Sequence, residues 1–151
     1  MSQEPQPQID PAAILQQLAG MERYLNNLQR LLETIGNTLA DMRIAKQALE
    51  RTKTYEREEL LVSTDRTGSV LLKARLDKEE PIVHLGLDVY AQIPTDKAIE
   101  ILSRREKEIE AQLKQLQNEI AEKAREYQRL QQLAAALSQA QQAPAPQRSQ
   151  G

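Results

Sequence analysis

The side chains able to do chemistry are few, and none stands where chemistry needs it. His84 is the only histidine. A lone imidazole between Val83 and Leu85 builds neither a metal site nor a proton relay, since both need partner groups at set spacings. It reads as a structural strand residue. Cysteine is absent, which removes thiol nucleophiles, thiolate metal sites and disulfides. A loop that cradles phosphate needs closely spaced glycines ahead of a helix, whereas Gly68 and Gly86 are isolated and neither opens one. Carboxylates are abundant but fall at ion-pairing spacings on helix faces, with no apolar pocket to raise a pKa. No catalytic set emerges, no cofactor or metal is expected, and the chain reads as a non-enzyme without ATP hydrolysis.

Composition narrows what such a chain is built for. Its 151 residues include no Trp or Phe and only four Tyr, while 28% are charged. Compact cores of this size draw on large aromatic side chains, so the Leu, Ile and Ala that dominate here suit long helices and coiled coils instead. The formal net charge is −2, and Arg104 and Arg105 are surrounded by Glu100, Glu106, Glu108 and Glu110. That pattern lacks the basic stripe with which proteins displace phosphate counterions, so no nucleic-acid partner is expected. Met1 to Gln8 carries no signal-peptide blocks, and no apolar run reaches the ~20 residues that cross a bilayer. The expectation is a soluble, cytoplasmic protein with no membrane partner.

The prolines mark the elements. Pro5, Pro7 and Pro11 precede one long periodic stretch, Pro81 and Pro94 lie mid-chain, and Pro144 and Pro146 follow a second stretch. A helix over 11–58 starts with Asp10 as cap and Pro11 at the first helical position. Its apolar residues Ile14, Leu18, Met21, Leu25, Leu28, Leu32, Ile35, Leu39, Met42 and Leu49 alternate steps of four and three, with Lys46 a missing beat. A second helix over 95–138 is expected to start from Thr95 as cap. It repeats the pattern through Ile99, Leu102, Ile109, Leu113, Leu116, Ile120, Tyr127, Leu130, Ala134 and Leu137, with Glu106 and Lys123 as gaps. Such a repeat over about five heptads is a coiled-coil seam. Gly20 and Gly36 inside the first helix are read as places of close packing, with soft points the other reading. Glu100 with Arg104, Glu110 with Lys114 and Glu119 with Lys123 are expected to pair along the second helix. The helices fold back antiparallel over ~60 Å, at 1.5 Å per residue. Residues 1–10 and the Gln/Pro-rich tail 139–151 are expected to be disordered, with too little apolar surface to offset ordering.

Between the helices, over 59–94, the period changes to two. Leu60–Ser63 and Ser69–Leu76 form one predicted hairpin, and Ile82–Leu85 with Val89–Ile93 the other, turning at Gly86-Leu87-Asp88. Isolated two-stranded hairpins are marginal in water and expose unpaired edges. The chain is therefore expected to be an obligate oligomer joined through Leu61, Val70, Leu72, Leu76, Val83, Leu85, Val89 and Ile93. The alternative is a small sheet folded onto the ends of its own helices. The fold class is mainly α: a coiled-coil hairpin with two β-hairpins between its helices.

This layout resembles the α-type subunit of prefoldin from Pro11 to Leu137. The most specific residues are Glu59-Leu60-Leu61-Val62, Gly68-Ser69-Val70-Leu71-Leu72-Lys73-Ala74, Ile82-Val83-His84-Leu85-Gly86, Val89-Tyr90-Ala91, Asp96-Lys97-Ala98-Ile99 and Arg105. Two places depart from the family pattern: Ser63-Thr64-Asp65 stands where Pro-x-Gly is frequent, and Asp88 where Gly is. The resemblance implies a hexamer of two α and four β-type subunits on a β-barrel platform. It also implies an ATP-independent chaperone that holds unfolded client proteins at coiled-coil tips and passes them to a group II chaperonin. The tip residues would be Ile14, Leu15, Leu18, Leu130, Leu133 and Leu137, among which Leu15 and Leu133 stand beside the seam. Two other readings stay open: a prefoldin-like filament or spacer, and a coiled-coil adaptor for one folded partner.

Overall fold

The computed structural model describes residues 9–76 and 80–143. The order is α1 (Pro11–Thr54), β1 (Glu59–Ser63), β2 (Leu71–Arg75), β3 (Ile82–Gly86), β4 (Val89–Gln92) and α2 (Thr95–Gln142). The ends expected to be disordered fall, for 1–8 and 144–151, outside the described residues, but α2 continues to Gln142, beyond the expected end at residue 138. Its last turns carry Ala and Gln, good helix formers. No described helix is long and apolar enough to cross a membrane.

Asp10 caps α1 as expected: its carboxylate accepts the Ala12 amide at 2.9 Å, and its carbonyl accepts that of Ile14. At the start of α2 the first intrahelical bond runs from the Ala98 amide to the Pro94 carbonyl at 3.0 Å. Pro94 thus holds the cap position and Thr95 is the first helical residue, correcting the expected cap. α1 stops at Thr54 rather than at residue 58. In its last turn Thr52 and Thr54 turn their hydroxyls onto the carbonyls of Leu49 and Arg51, which occupies acceptors the next turn would not fill.

The chain divides into two compact units. One holds the outer part of each helix, up to Thr34 and from Leu113; the other is Ile35–Gln112, with the inner helical segments and all four strands. Every expected seam position of both helices is buried or half-buried, as are Lys46, Glu106 and Lys123 at the missing beats. In the outer unit the helices are antiparallel, because Ile14 shares a cleft with Leu137 while Tyr24 bonds Glu119. In the inner unit Lys53 pairs with Asp96 and Arg43 with Glu106 and Glu110, which is again antiparallel.

Close packing does not explain the helix glycines. A Cβ added to Gly20 or Gly36 would meet nothing within 4 Å, so the expected contact is missing and the backbone penalty stands uncompensated. Gly36→Ala is expected to stabilise the chain by about 1 kcal/mol, read as a higher thermal midpoint by circular dichroism. An unchanged or lower midpoint would mean that another chain packs against that position.

β1 pairs antiparallel with β2, Val62 opposite Leu72 and Leu60 opposite Ala74. Their connection is organised by Asp65, whose carboxylate accepts the Thr67 amide (2.8 Å), the Thr67 hydroxyl (2.7 Å) and the Ser69 amide (3.1 Å). Those bonds, led by the Thr67 hydroxyl, hold the Asp65 pKa down to about 2. They also keep Ser69 and Val70 in the loop, so β2 begins at Leu71 and not at Ser69. β3 pairs with β4 around a bulge between His84 and Gly86. Leu87 and Asp88 both have positive φ, 49° and 59°, the two-residue hairpin geometry whose twist matches the flanking strands. Asp tolerates that region; Leu does so at a cost of about 1–2 kcal/mol.

Candidate protein-interaction surfaces

Strand register sorts the apolar side chains into faces. Side chains alternate along a strand, so Leu60, Val62, Leu72 and Ala74 share one face of the first hairpin, and Glu59, Leu61, Ser63, Leu71, Lys73 and Arg75 share the other. The register therefore separates Leu61 from Leu72, which the sequence reading placed in one interface set. Little of either face is covered within the chain. Leu61, Val70, Leu72, Leu85 and Val89 are exposed, Leu76 and Ile93 are half-buried, and only Val83 among the described strand residues is buried, at 8% exposure. Val62, Leu71, Ile82, Leu87 and Tyr90 are exposed as well, a group that sequence reasoning missed. Alternation would have found Val62, since it stands two residues from Leu60. His84 is a strand residue as expected, its ring 4.9 Å from that of Tyr90 across the ladder.

A run of exposed aliphatic side chains on two short hairpins is unusual for a chain that stands alone, since large apolar patches on soluble proteins mark interaction sites. Each exposed aliphatic side chain that becomes covered contributes roughly 1.5–3 kcal/mol.

At the end of the outer unit a cleft of about 230 Å³ is lined by Pro11, Ile14, Leu15, Ala134, Leu137, Ser138 and Gln141. Ile14 is buried in the seam at 5% exposure, and Leu18, Leu130 and Leu137 are half-buried. Leu15 is 62% exposed and Leu133 38%, so these two offer the free apolar surface. Leu15 forms a wall of the cleft, whereas Leu133 is not among its lining residues.

Polar groups on the seam bind across it. Glu106 accepts from Lys46 Nζ at 2.7 Å and Arg43 Nε at 2.8 Å, and Arg43 reaches Glu110 at 2.5 Å. The bond from Lys46, then that from Arg43, pulls the Glu106 carboxyl below its ordinary pKa, and the same contact raises Lys46. The two missing beats of the inner unit thus face each other as an ion pair. Of the expected i, i+4 pairs none forms among the described residues: Glu110 turns to Arg43, Glu119 accepts the Tyr24 hydroxyl at 2.5 Å, and Lys123 bonds Glu126. The hydrogen bond to Glu119 raises the Tyr24 pKa. Among the described residues no cluster of His, Asp and Glu gathers where a metal ion could sit.

Comparison with known proteins agrees with this geometry. The Prefoldin family model, described as prefoldin subunit, matches residues 21–140. A prefoldin subunit alpha from Saccharolobus islandicus is 37% identical over 132 residues, covering 87% of this chain and 86% of the relative. The prefoldin subunit alpha of Aeropyrum pernix is 32% identical over 143 residues, covering 93% and 95%, and that of Sulfurisphaera tokodaii 29% identical, covering 91% and 89%. Among solved structures, a chain of filamentous PFD from Methanocaldococcus jannaschii, determined by cryo-electron microscopy, superposes with a TM-score of 0.63 at 18% identity. It covers 78% of this chain and 95% of that one. At that identity the likeness shows the fold.

Proposed function

We propose a function from one premise: this chain belongs to the prefoldin family. It serves as the α-type subunit of a hetero-oligomer with β-type subunits, two α with four β. Its strands enter a shared β-barrel platform and its helices project as client-holding arms. The complex captures unfolded polypeptides without nucleotide and hands them to a group II chaperonin in the cytoplasm. The observation that carries this reading is the uncovered aliphatic strand surface, Val62, Leu72, Leu85 and Val89 above all, in a chain whose relatives are prefoldin α subunits. Such a surface needs neighbours, and neighbouring hairpins supply them.

Client holding is assigned to the arm ends, where Leu15 and Leu133 are free to touch cargo while Ile14, Leu18, Leu130 and Leu137 hold the seam together. Contacts of this kind are weak singly and gain strength when several arms act together. Leu15→Ser with Leu133→Ser is expected to leave the oligomer intact and to weaken capture of an unfolded client about tenfold per arm, from the lost apolar burial. Light scattering during dilution of a denatured client reads the effect, and native mass spectrometry of the chain co-expressed with a β-type subunit reads assembly. Undiminished suppression of aggregation would reject the arm-end assignment. Polymers of this chain alone would favour the filament or spacer reading.

A further inference from the structure

Packing within the chain leaves Gly20 unexplained: it is half-buried in α1, yet a Cβ there would meet nothing within 4 Å. The open space belongs to a groove of about 510 Å³ on the side of the outer unit, lined by Gln17, Gly20, Met21, Tyr24 and Lys123. This groove shares no lining residue with the arm-end cleft.

Its walls are chemically distinct. Tyr24 is 43% exposed while its hydroxyl is tied to Glu119, so an open ring is held in place on one side. Met21 brings a polarisable thioether that adapts to the shape it meets. Lys123 bonds Glu126, so the polar heads of Tyr24 and Lys123 both have carboxylate partners already. The Tyr24–Glu119 bond also fixes which flank of α2 borders the groove. Glu119, Glu126 and Leu133 recur on that flank at heptad spacing, so Leu133, 38% exposed, continues it toward the arm end with free apolar surface.

We infer that this groove holds an aromatic side chain of an unfolded client segment, its ring laid over the Gly20 backbone between Tyr24 and Met21. The inference rests on the client-holding reading and adds the class of side chain that is held. A flat ring comes close to a helix backbone where no Cβ stands. It also stacks offset or edge-on against Tyr24 and meets the Met21 sulfur. A branched aliphatic side chain gains neither contact. A client carboxylate would face Glu119 and Glu126, which already hold the available donors, so the walls complement an uncharged ring. Gly20 weakens the helix, and the groove it opens is the use of that weakness.

The chain has no Trp, so a soluble peptide of Gln, Ser and Gly with a single Trp reports its own surroundings without background. Titrated with the full chain, its emission is expected to shift to the blue as the indole leaves water. The same peptide with Leu in place of Trp is expected to compete about tenfold less well. Gly20→Gln fills the groove with a side chain that helices accept, and is expected to weaken binding of the Trp peptide about tenfold. Gly36→Gln, the same change outside the groove, leaves that binding as it was. Tyr24→Leu is expected to erase the preference for Trp over Leu, and Tyr24→Phe to keep it. Wild-type binding by the Gly20→Gln chain, equal loss from both glycine changes, or equal competition by the Leu peptide would each overturn this inference and leave the functional reading standing. A wild-type complex that fails to suppress aggregation of a denatured client would defeat both together. A Gly20→Gln chain that loses self-association in native mass spectrometry, with peptide binding intact, would show a second copy as the occupant and so overturn it too.

Discussion

Replacing Leu72 with Asp is expected to yield a helical chain that no longer joins other prefoldin subunits. Leu72 is 56% exposed and lies on the same face as Val62, beside the half-buried Leu60 and Ala74. Because so little of it is covered within the chain, the substitution removes few internal contacts. In the proposed platform the same position is expected to become interior, where an unpaired carboxylate costs several kcal/mol. At 1.4 kcal/mol per tenfold, association weakens by on the order of 1000-fold. Light scattering and native mass spectrometry with a β-type partner are expected to show free chain for the variant and a complex for the wild type. Ile44→Asp is the control: Ile44 is 64% exposed on α1 and lies off the seam, and its loss should leave assembly unchanged. Full assembly of the Leu72→Asp chain would remove the strand face from the interface.

What the sequence told and withheld follows from the range of each interaction. Steps of four and three through Ile14, Leu28 and Leu39 identify the seam because helical burial repeats locally, and the structure buries all three. The period of two marked the strand that holds Val83 and His84, but not which of its residues the chain itself covers: Val83 is buried, while Leu85, two residues on, is exposed past the bulge. Partners across the helix pair were harder. Glu110 with Lys114 looks like a local ion pair, yet Glu110 bonds Arg43, 67 residues away in the chain, because the cross-helix register brings a guanidinium within reach of it. Lys46 and Glu106 read separately as missing beats; their opposite charges at matching seam positions were the signal that they meet. Boundaries failed where single side chains decide them. Thr52 and Thr54 end α1 and Asp65 delays β2, each through bonds that no periodicity encodes. A cleft beside β1, lined by Arg57 and Lys73 among others, was invisible for a further reason: it exists only once a linker residue and a strand residue are brought side by side.

Leu39→Ala is expected to destabilise the chain by about 2–5 kcal/mol, since Leu39 is among the few side chains covered to 7% exposure. That is a large part of the roughly 5–15 kcal/mol available to a domain, and chemical denaturation followed by circular dichroism would measure it. The nearby Lys46–Glu106 pair answers to different physics. Glu106→Leu alone leaves the Lys46 ammonium half-buried without its closest partner, and the midpoint falls. Lys46→Leu with Glu106→Leu fills both beats with aliphatic side chains, which commonly matches or exceeds an ion pair in stability. What the double substitution is expected to lose is alignment, because a polar pair at a seam position fixes helix register. The absence of cysteine makes this measurable: Lys53→Cys with Asp96→Cys places a single thiol pair at a contact between the helices. Oxidation across that pair should be fast with the Lys46–Glu106 bond present and several-fold slower in the double-leucine background, although that background melts no lower. Equal oxidation rates would show that the aliphatic seam alone sets the register.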